Sequence, residues 1–433
     1  LKQNPAEMTN FNLSVGITDR FMRALQRGQT VALVNPRTKK AVRRESAAKI
    51  FDRLVQAAWQ SGEPGVVFLD TINRANPTPQ LGDIEATNPC GEQPLLPYES
   101  CTLGSINVAN FTTVRSGKCV LDGDRLRAVV PLTVRFLDNV LQDFIERAPD
   151  EMARAKYSAA RERSVGMGVM GFHSFLQSQN VPWESVVAKV WNKKMFKHIR
   201  GQCDEASHKL ADERGACPDA ADYGIKERFS HKLAIAPTAS ISIICGGASP
   251  GIEPSAANVY NHKTLSGSFV VRNPYLEKVL EQKGKNDEDT WTSIMTSQGS
   301  VQHLDCLDDH EKAVFKTAFE LDQRWLVEHA ADRTPYICQS QSLNLFLPAD
   351  VHKRDLHQIH MMAWKRGVKS LYYCRSLSIQ RADVVSNDAV VSPLGDQALV
   401  APKMTTDAPG LTLPTGTQPA GESNNYEECL SCQ

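Results

Sequence analysis

The sequence carries no excess of charge: Lys and Arg total 49, and Asp and Glu total 49. That balance leaves no global field to draw the chain to nucleic acid or to an anionic membrane, and it favours small, locally bound substrates. No apolar run approaches the roughly 18 residues of a membrane span. The opening residues, LKQNPAEMTNFNLSVG, lack the charged-then-apolar order of a secretion signal. A soluble, cytoplasmic chain is the expectation. No fixed-period repeat is present, which argues against a solenoid or propeller. Cysteine is not scarce but it is unordered. Eleven thiols without regular spacing, in 433 residues that are 41% hydrophobic, argue against a disulfide framework and for reduced cysteines.

Hydrophobic periodicity predicts a helix over 45–60, with Ile50, Leu54, Val55 and Ala58 on one side, followed by a buried strand in GVVFLD. Further helices are predicted over 124–147 and over 184–214, the latter stopped by Gly215. KLAIAPTASISIICGG begins as a strand and breaks at Pro237. Helix 309–330, strand 341–347, helix 355–366 and strand 368–374 complete a βαβ-like close, so the fold class is α/β with much parallel pairing. From Asp383 onward the composition shifts to five prolines, four glycines and Tyr426 as the one aromatic residue, which predicts a flexible tail over 383–433 after a folded body over 1–382.

Five constellations could carry chemistry. In NPCGE, the residues Asn88, Cys90 and Glu92 alternate, so a locally extended loop would aim an amide, a thiol and a carboxylate into one volume. The same residues could also make an ordinary turn around a packed cysteine. Cys101 lies eleven residues on, in SCTLGSIN, which reads as a strand where a cysteine is commonly a small core residue. APTASISII offers Thr238, Ala239, Ser240 and Ile241 at the break of a strand, where free backbone N–H groups could hold phosphate or simply cap a turn. Tyr372 and Tyr373 are adjacent in KSLYYCRS. A regular strand would turn one ring inward and the other outward, whereas a stacked pair of phenols able to relay an electron and proton would require the backbone to leave strand geometry. Cys429 and Cys432 form a terminal Cys-x-x-Cys with no second metal-ligand pair at matching spacing, so no metal site is expected. On a mobile tail they read as a travelling dithiol, and the 56 residues back to Tyr373 span roughly 40 Å as a flexible chain.

Taken in order, TNFNLSVG, FLDTINRANPTPQLG, ATNPCGEQPLLPYESCTLGSIN, RSVGMGVMGFHSFL, IAPTASISII, GIEP, QSQSLN and GVKSLYYCRS resemble the catalytic (large, alpha) subunit of ribonucleotide reductase over nearly the whole chain. The resemblance implies part of a ten-stranded α/β barrel whose central finger loop carries the radical cysteine. It implies a ribonucleoside-diphosphate reductase, in which Cys90 becomes the thiyl radical that takes hydrogen from ribose C3′. Glu92 would accept the 3′-hydroxyl proton and Asn88 would hold the sugar. Cys101 would be one of two reducing thiols, Thr238 to Ile241 would cradle the diphosphate, and Cys429 and Cys432 would pass electrons in from thioredoxin or glutaredoxin.

The paired tyrosines look like class I, in which a separate metal-containing small (beta) subunit supplies the oxidant through Tyr372 and Tyr373, and this chain binds no cofactor itself. The wording around Cys90 also resembles the adenosylcobalamin-dependent class II enzymes. A non-catalytic assembly module is a third reading. Two departures stand out. No cysteine precedes Asn88, so the second reducing thiol is absent, and so are the N-terminal nucleotide-binding cone and the specificity loops. With Leu at position 1, the chain is expected to be the C-terminal portion of a catalytic subunit that needs its N-terminal half, forms a homodimer when complete, and exposes unpaired sheet edges when alone.

Overall fold

Among the described residues, short strands and single bridges line up side by side as a ribbon, and the connections between them supply the helices. The computed structural model describes residues 11–116, 118–264, 267–348 and 351–376. The predicted tail over 383–433, with Cys429 and Cys432, lies outside the described residues. Strand β1 (Ser14–Ile17) runs parallel to β2 (Gly65–Phe68). A short hairpin joins β3 (Ala86–Thr87) and β4 (Pro94–Leu95). Strand β5 (Leu103–Asn107) pairs in parallel with β6 (Gly166–Met170). Single parallel bridges then link Met167 to Leu233 and Ile235 to Gln341. Finally β7 (Leu345–Leu347) pairs in parallel with β9 (Cys374–Ser376), while β8 (Ser370–Leu371) returns antiparallel onto β2. The ribbon therefore joins two parallel sets through one antiparallel seam. Among the described residues, β1 and β5 are each paired on one side only.

The crossovers are helical, as parallel pairing requires. Helix α1 (Ala47–Ser61) starts where the Ser46 hydroxyl accepts the Lys49 N–H, buries Phe51, Leu54, Val55 and Ala58, and stops at left-handed Gly62. Helix α2 (Gly123–Arg147) is capped by Asp122 and buries Leu126, Val130, Val134, Leu137 and Leu141. Helix α3 (Val186–Arg214) starts at Ser185 and ends at Gly215, as the sequence predicts. The six-residue α4 (Ala239–Ile244) follows the Pro237 break. Helices α5 (Gln323–Arg333) and α6 (Lys353–Lys365) complete the layer, which packs in the order α2, α3, α5, α6, α1. Phe51, Val66, Met167, Phe172, Leu233 and Leu345 sit in the core between ribbon and helices, each at most 1% exposed.

Three element predictions need correction. The helix expected over 309–330 is two helices, Asp309–Val314 and α5. Glu184, far away in sequence, accepts the Asp322 N–H and binds Lys316, so the chain is held in a turn between them. The strand expected over 341–347 reduces to a bridge at Gln341 and to β7, because the Asn344 N–H goes to the Glu253 carboxylate instead of to a neighbouring strand. The strand expected over 368–374 is interrupted at Tyr372 and Tyr373. No helix among the described residues is long and apolar enough to cross a membrane.

Candidate active site

The residues between β3 and β4 form a tight hairpin tip. The Asn88 N–H donates to the Gln93 carbonyl at 3.0 Å, the Gly91 N–H to the Asn88 carbonyl at 3.1 Å, and the Gln93 N–H to the Asn88 Oδ1 at 2.9 Å. Gly91 has φ of +80°, a conformation that a side chain disfavours. The extended alternation expected for Asn88, Cys90 and Glu92 is therefore not what brings them together. A turn does so, and the Asn88 side chain closes that turn. Cys90 is 4% exposed and Glu92 is 1% exposed. Burial pushes the Glu92 carboxyl above its usual range, against the opposing pull of the Asn88 amide and a backbone N–H. Its Oε2 is buried without a hydrogen-bond partner. An unpartnered, buried carboxyl oxygen can accept a hydrogen bond or a proton from a group that enters the turn.

Tyr372 meets this tip. Its hydroxyl is buried and makes no hydrogen bond of good geometry. Burial first, then the adjacent Tyr373 phenol and the Cys90 thiol, push its pKa far above the usual tyrosine range, so it stays a neutral phenol. The two tyrosine rings stack with centroids 3.8 Å apart and planes 32° from parallel. Strand pairing fails at this step for a visible reason. The Tyr372 N–H donates to the Leu343 carbonyl at 2.9 Å, whereas the Tyr373 N–H turns to the Asn344 side chain at 3.2 Å. The Tyr373 hydroxyl then donates to the Asn12 Oδ1. Cys90, Tyr372, Tyr373 and Asn12 thus form a line of contacts leading away from the hairpin tip.

The remaining predicted residues are placed differently. Cys101 lies on an exposed segment two residues before β5, not within the strand. Thr238 has φ of +55° and is buried; its hydroxyl accepts the Gly251 N–H at 2.7 Å, so it braces the turn. Ala239, Ser240 and Ile241 form the first turn of α4, and Ile241 is exposed. Cys429 and Cys432 lie outside the described residues. Among the described residues no group of three or more His, Cys, Asp or Glu is arranged to hold a metal ion.

Sequence reasoning assigned no task to Asn12, Glu253, Ser340, Asn344 or Ser370. Glu253 is wholly buried, and burial raises its carboxyl against the pull of Arg375 and Asn344. Its signal in sequence was GIEP, and those of Ser340 and Asn344 were QSQSLN, motifs read for their resemblance and not for their contacts.

The family model for the ribonucleotide reductase barrel domain matches residues 1–223 and 219–374. The chain is 38% identical over 377 residues to the putative ribonucleoside-diphosphate reductase large subunit of Frog virus 3, covering 85% of this chain and 64% of that protein. It is 38% identical over 401 residues to the vitamin B12-dependent ribonucleoside-diphosphate reductase of Mycobacterium tuberculosis, covering 92% of this chain and 56% of that one. The class Id ribonucleotide reductase alpha subunit of Actinobacillus ureae superposes with a TM-score of 0.73 at 32% identity, over 85% of this chain and 65% of that structure. The chain therefore spans less than two thirds of the relatives it matches.

Proposed function

The chain belongs to the ribonucleotide reductase barrel family, and from that premise we propose that it is the radical-bearing portion of a ribonucleoside-diphosphate reductase catalytic subunit. The observation that carries the reading is the contact of the buried Cys90 thiol with Tyr372, in a turn that also carries the unpartnered oxygen of Glu92. In the proposed cycle, a tyrosyl oxygen radical at Tyr372 takes the Cys90 S–H hydrogen, leaving a thiyl radical and a phenol. The thiyl takes the hydrogen at ribose C3′, Glu92 accepts the 3′-hydroxyl proton, and the 2′-hydroxyl leaves as water with a proton from one of two reducing thiols. Cys101 and a second thiol supplied from outside this chain give two electrons and two protons in all, one proton to that water and the other hydrogen to C2′, as they close a disulfide; Glu92 then returns its proton to the 3′-oxygen and Cys90 returns its hydrogen to C3′. The first turn of α4 at Ala239, Ser240 and Ile241, braced by Thr238, offers N–H groups for the substrate diphosphate. Cys429 and Cys432 would reopen the disulfide by exchange with a thioredoxin-type donor.

The stacked tyrosines favour a radical generated on a partner, the metal-containing small subunit, and delivered along Tyr373 and Tyr372. A second reading has a specific observation behind it: the 38% identity to a vitamin B12-dependent reductase over 92% of the chain supports adenosylcobalamin as the radical source. Reconstitution tests both. The complete catalytic subunit should convert a ribonucleoside diphosphate to the deoxy product with one of the two radical sources, and Cys90→Ser should abolish it. No product with either source would leave the non-catalytic assembly module standing, and full activity of Cys90→Ser would overturn the radical role of Cys90.

A further inference from the structure

A two-stranded hairpin with two residues per strand has little stability of its own, so the position of the Cys90 tip must be imposed from outside. The imposing groups are two buried serines. Ser370 Oγ donates to the Gly91 carbonyl at 3.0 Å, Ser340 Oγ lies 2.7 Å from Ser370 Oγ, and the Ser340 N–H donates to the Glu92 carbonyl at 2.8 Å. Ser340 is 3% and Ser370 2% exposed. A hydroxyl has one proton. Ser370 Oγ also lies 3.3 Å from the Gln341 carbonyl, and either serine can donate to the other; when Ser370 donates to the nearer Gly91 carbonyl, Ser340 supplies the proton between them and the chain Ser340 O–H to Ser370 O–H to Gly91 C=O is complete. A Cβ on Gly91 would lie 3.6 Å from Ser370 Oγ, so the loop backbone rests directly on this serine. The two peptide carbonyls after Cys90 are therefore both held.

We propose that the Ser340–Ser370 hydroxyl pair is a positioning clamp that fixes the Cys90 turn against Tyr372. The inference rests on the reading of Cys90 and Tyr372 given above. Its logic is connectivity. Ser370 lies two residues before Tyr372 on the same strand segment, and Ser340 lies three residues before Leu343, whose carbonyl accepts the Tyr372 N–H at 2.9 Å. The segments that grip the loop are thus continuous with those that carry and hold the phenol. Lys369 braces the same frame: it is 5% exposed, and its ammonium donates to the carbonyls of Ile337, Cys338 and Gln339 at 3.0, 2.7 and 2.5 Å. Hydrogen transfer between a thiol and a phenol depends steeply on approach, and a misplacement of about 1 Å costs on the order of 10²-fold.

The test compares Ser370→Ala, Ser370→Thr and Ser340→Ala in the complete catalytic subunit with its radical source. The clamp predicts that each alanine variant loses roughly 10- to 100-fold in kcat with KM within about twofold, and that threonine, which keeps the hydroxyl, recovers most of the rate. A wild-type rate in Ser370→Ala, or a raised KM with kcat intact, overturns it. Amide hydrogen exchange on this chain gives a readout independent of turnover. Exchange at residues 89–93 should accelerate in Ser370→Ala and not in Ser370→Thr, and equal exchange in all three proteins overturns the clamp. If wild type makes no product but the exchange pattern holds, the functional reading fails and the clamp stands.

Discussion

Tyr373 donates its hydroxyl to the Asn12 side chain while its ring stacks on Tyr372 at 3.8 Å, so one residue touches both the inner phenol and the segment before β1. Adjacent residues of a regular strand cannot do this, because their side chains alternate across the sheet. Here the ladder stops after Leu371 and resumes at Cys374.

If the pair relays a radical from a partner, Tyr373→Phe keeps the stacked ring and removes only the O–H. Turnover driven by a small subunit should fall on the order of 10³-fold, the scale on which loss of an obligate proton-transfer group acts. Thermal melting of the variant should stay within about 2 °C of wild type, since the lost hydrogen bond is one of modest net worth.

If Glu92 is the base it acts only when ionised, and because burial raises its folded-state pKa, activity should be lost as pH falls through a value above the ordinary carboxylate range. A pH profile of kcat/KM reads this acidic limb directly. Glu92→Gln removes the acceptor and should cost roughly 10²- to 10⁴-fold at neutral pH, with no acidic limb remaining at that position.

Glu99 lies close to Glu162. Burial, then the neighbouring Glu162 charge, raise the Glu99 carboxyl to about 9. A carboxyl whose folded value exceeds its unfolded one lends stability that is full below the unfolded value and fades as pH rises toward the folded one. Glu99→Gln mimics the protonated form. It should be near neutral at pH 4 and stabilise by ~2 kcal/mol at pH 8, as measured by denaturant unfolding at both pH values.

Much of this was legible in the sequence. The helices α1, α2 and α3 announce themselves by apolar spacing and a Ser or Asp cap, and α1 and α3 by a glycine stop as well, all of which are local. The loop around Cys90 was legible as a loop from its prolines and glycine. Its shape was not, because the turn depends on Asn88 folding back to the Gln93 N–H and on serines some 250 to 280 positions away. The break at Tyr372 and Tyr373 was equally hidden, since Leu343 and Asn344 decide it. Cys101 looked like a strand residue because SCTLGSIN has strand composition, yet pairing with β6 begins at Leu103.

The thiols separate by environment. Cys338 accepts N–H bonds from Lys232 and Leu233 at 3.1 and 3.2 Å. Burial works to raise its pKa, but the His231 imidazole and those N–H groups outweigh it and bring the thiol down to about 6. Burial pushes Cys374 up to about 12. Limited alkylation of the native chain at pH 7.5, read by mass spectrometry, should mark Cys338 ahead of Cys374 and Cys203, and the Cys338 rate should fall as pH drops below about 6.

The most direct test of the central claim is the rate of deoxynucleotide formation by Tyr372→Phe in the complete catalytic subunit, measured with a metal-containing small subunit and separately with adenosylcobalamin. A radical that reaches Cys90 through Tyr372 predicts turnover lost by on the order of 10³-fold with the small subunit, in a protein that still melts like wild type. Wild-type turnover by Tyr372→Phe with the small subunit would contradict the relay, and activity supported by adenosylcobalamin alone would assign the chain to the cobalamin-dependent branch.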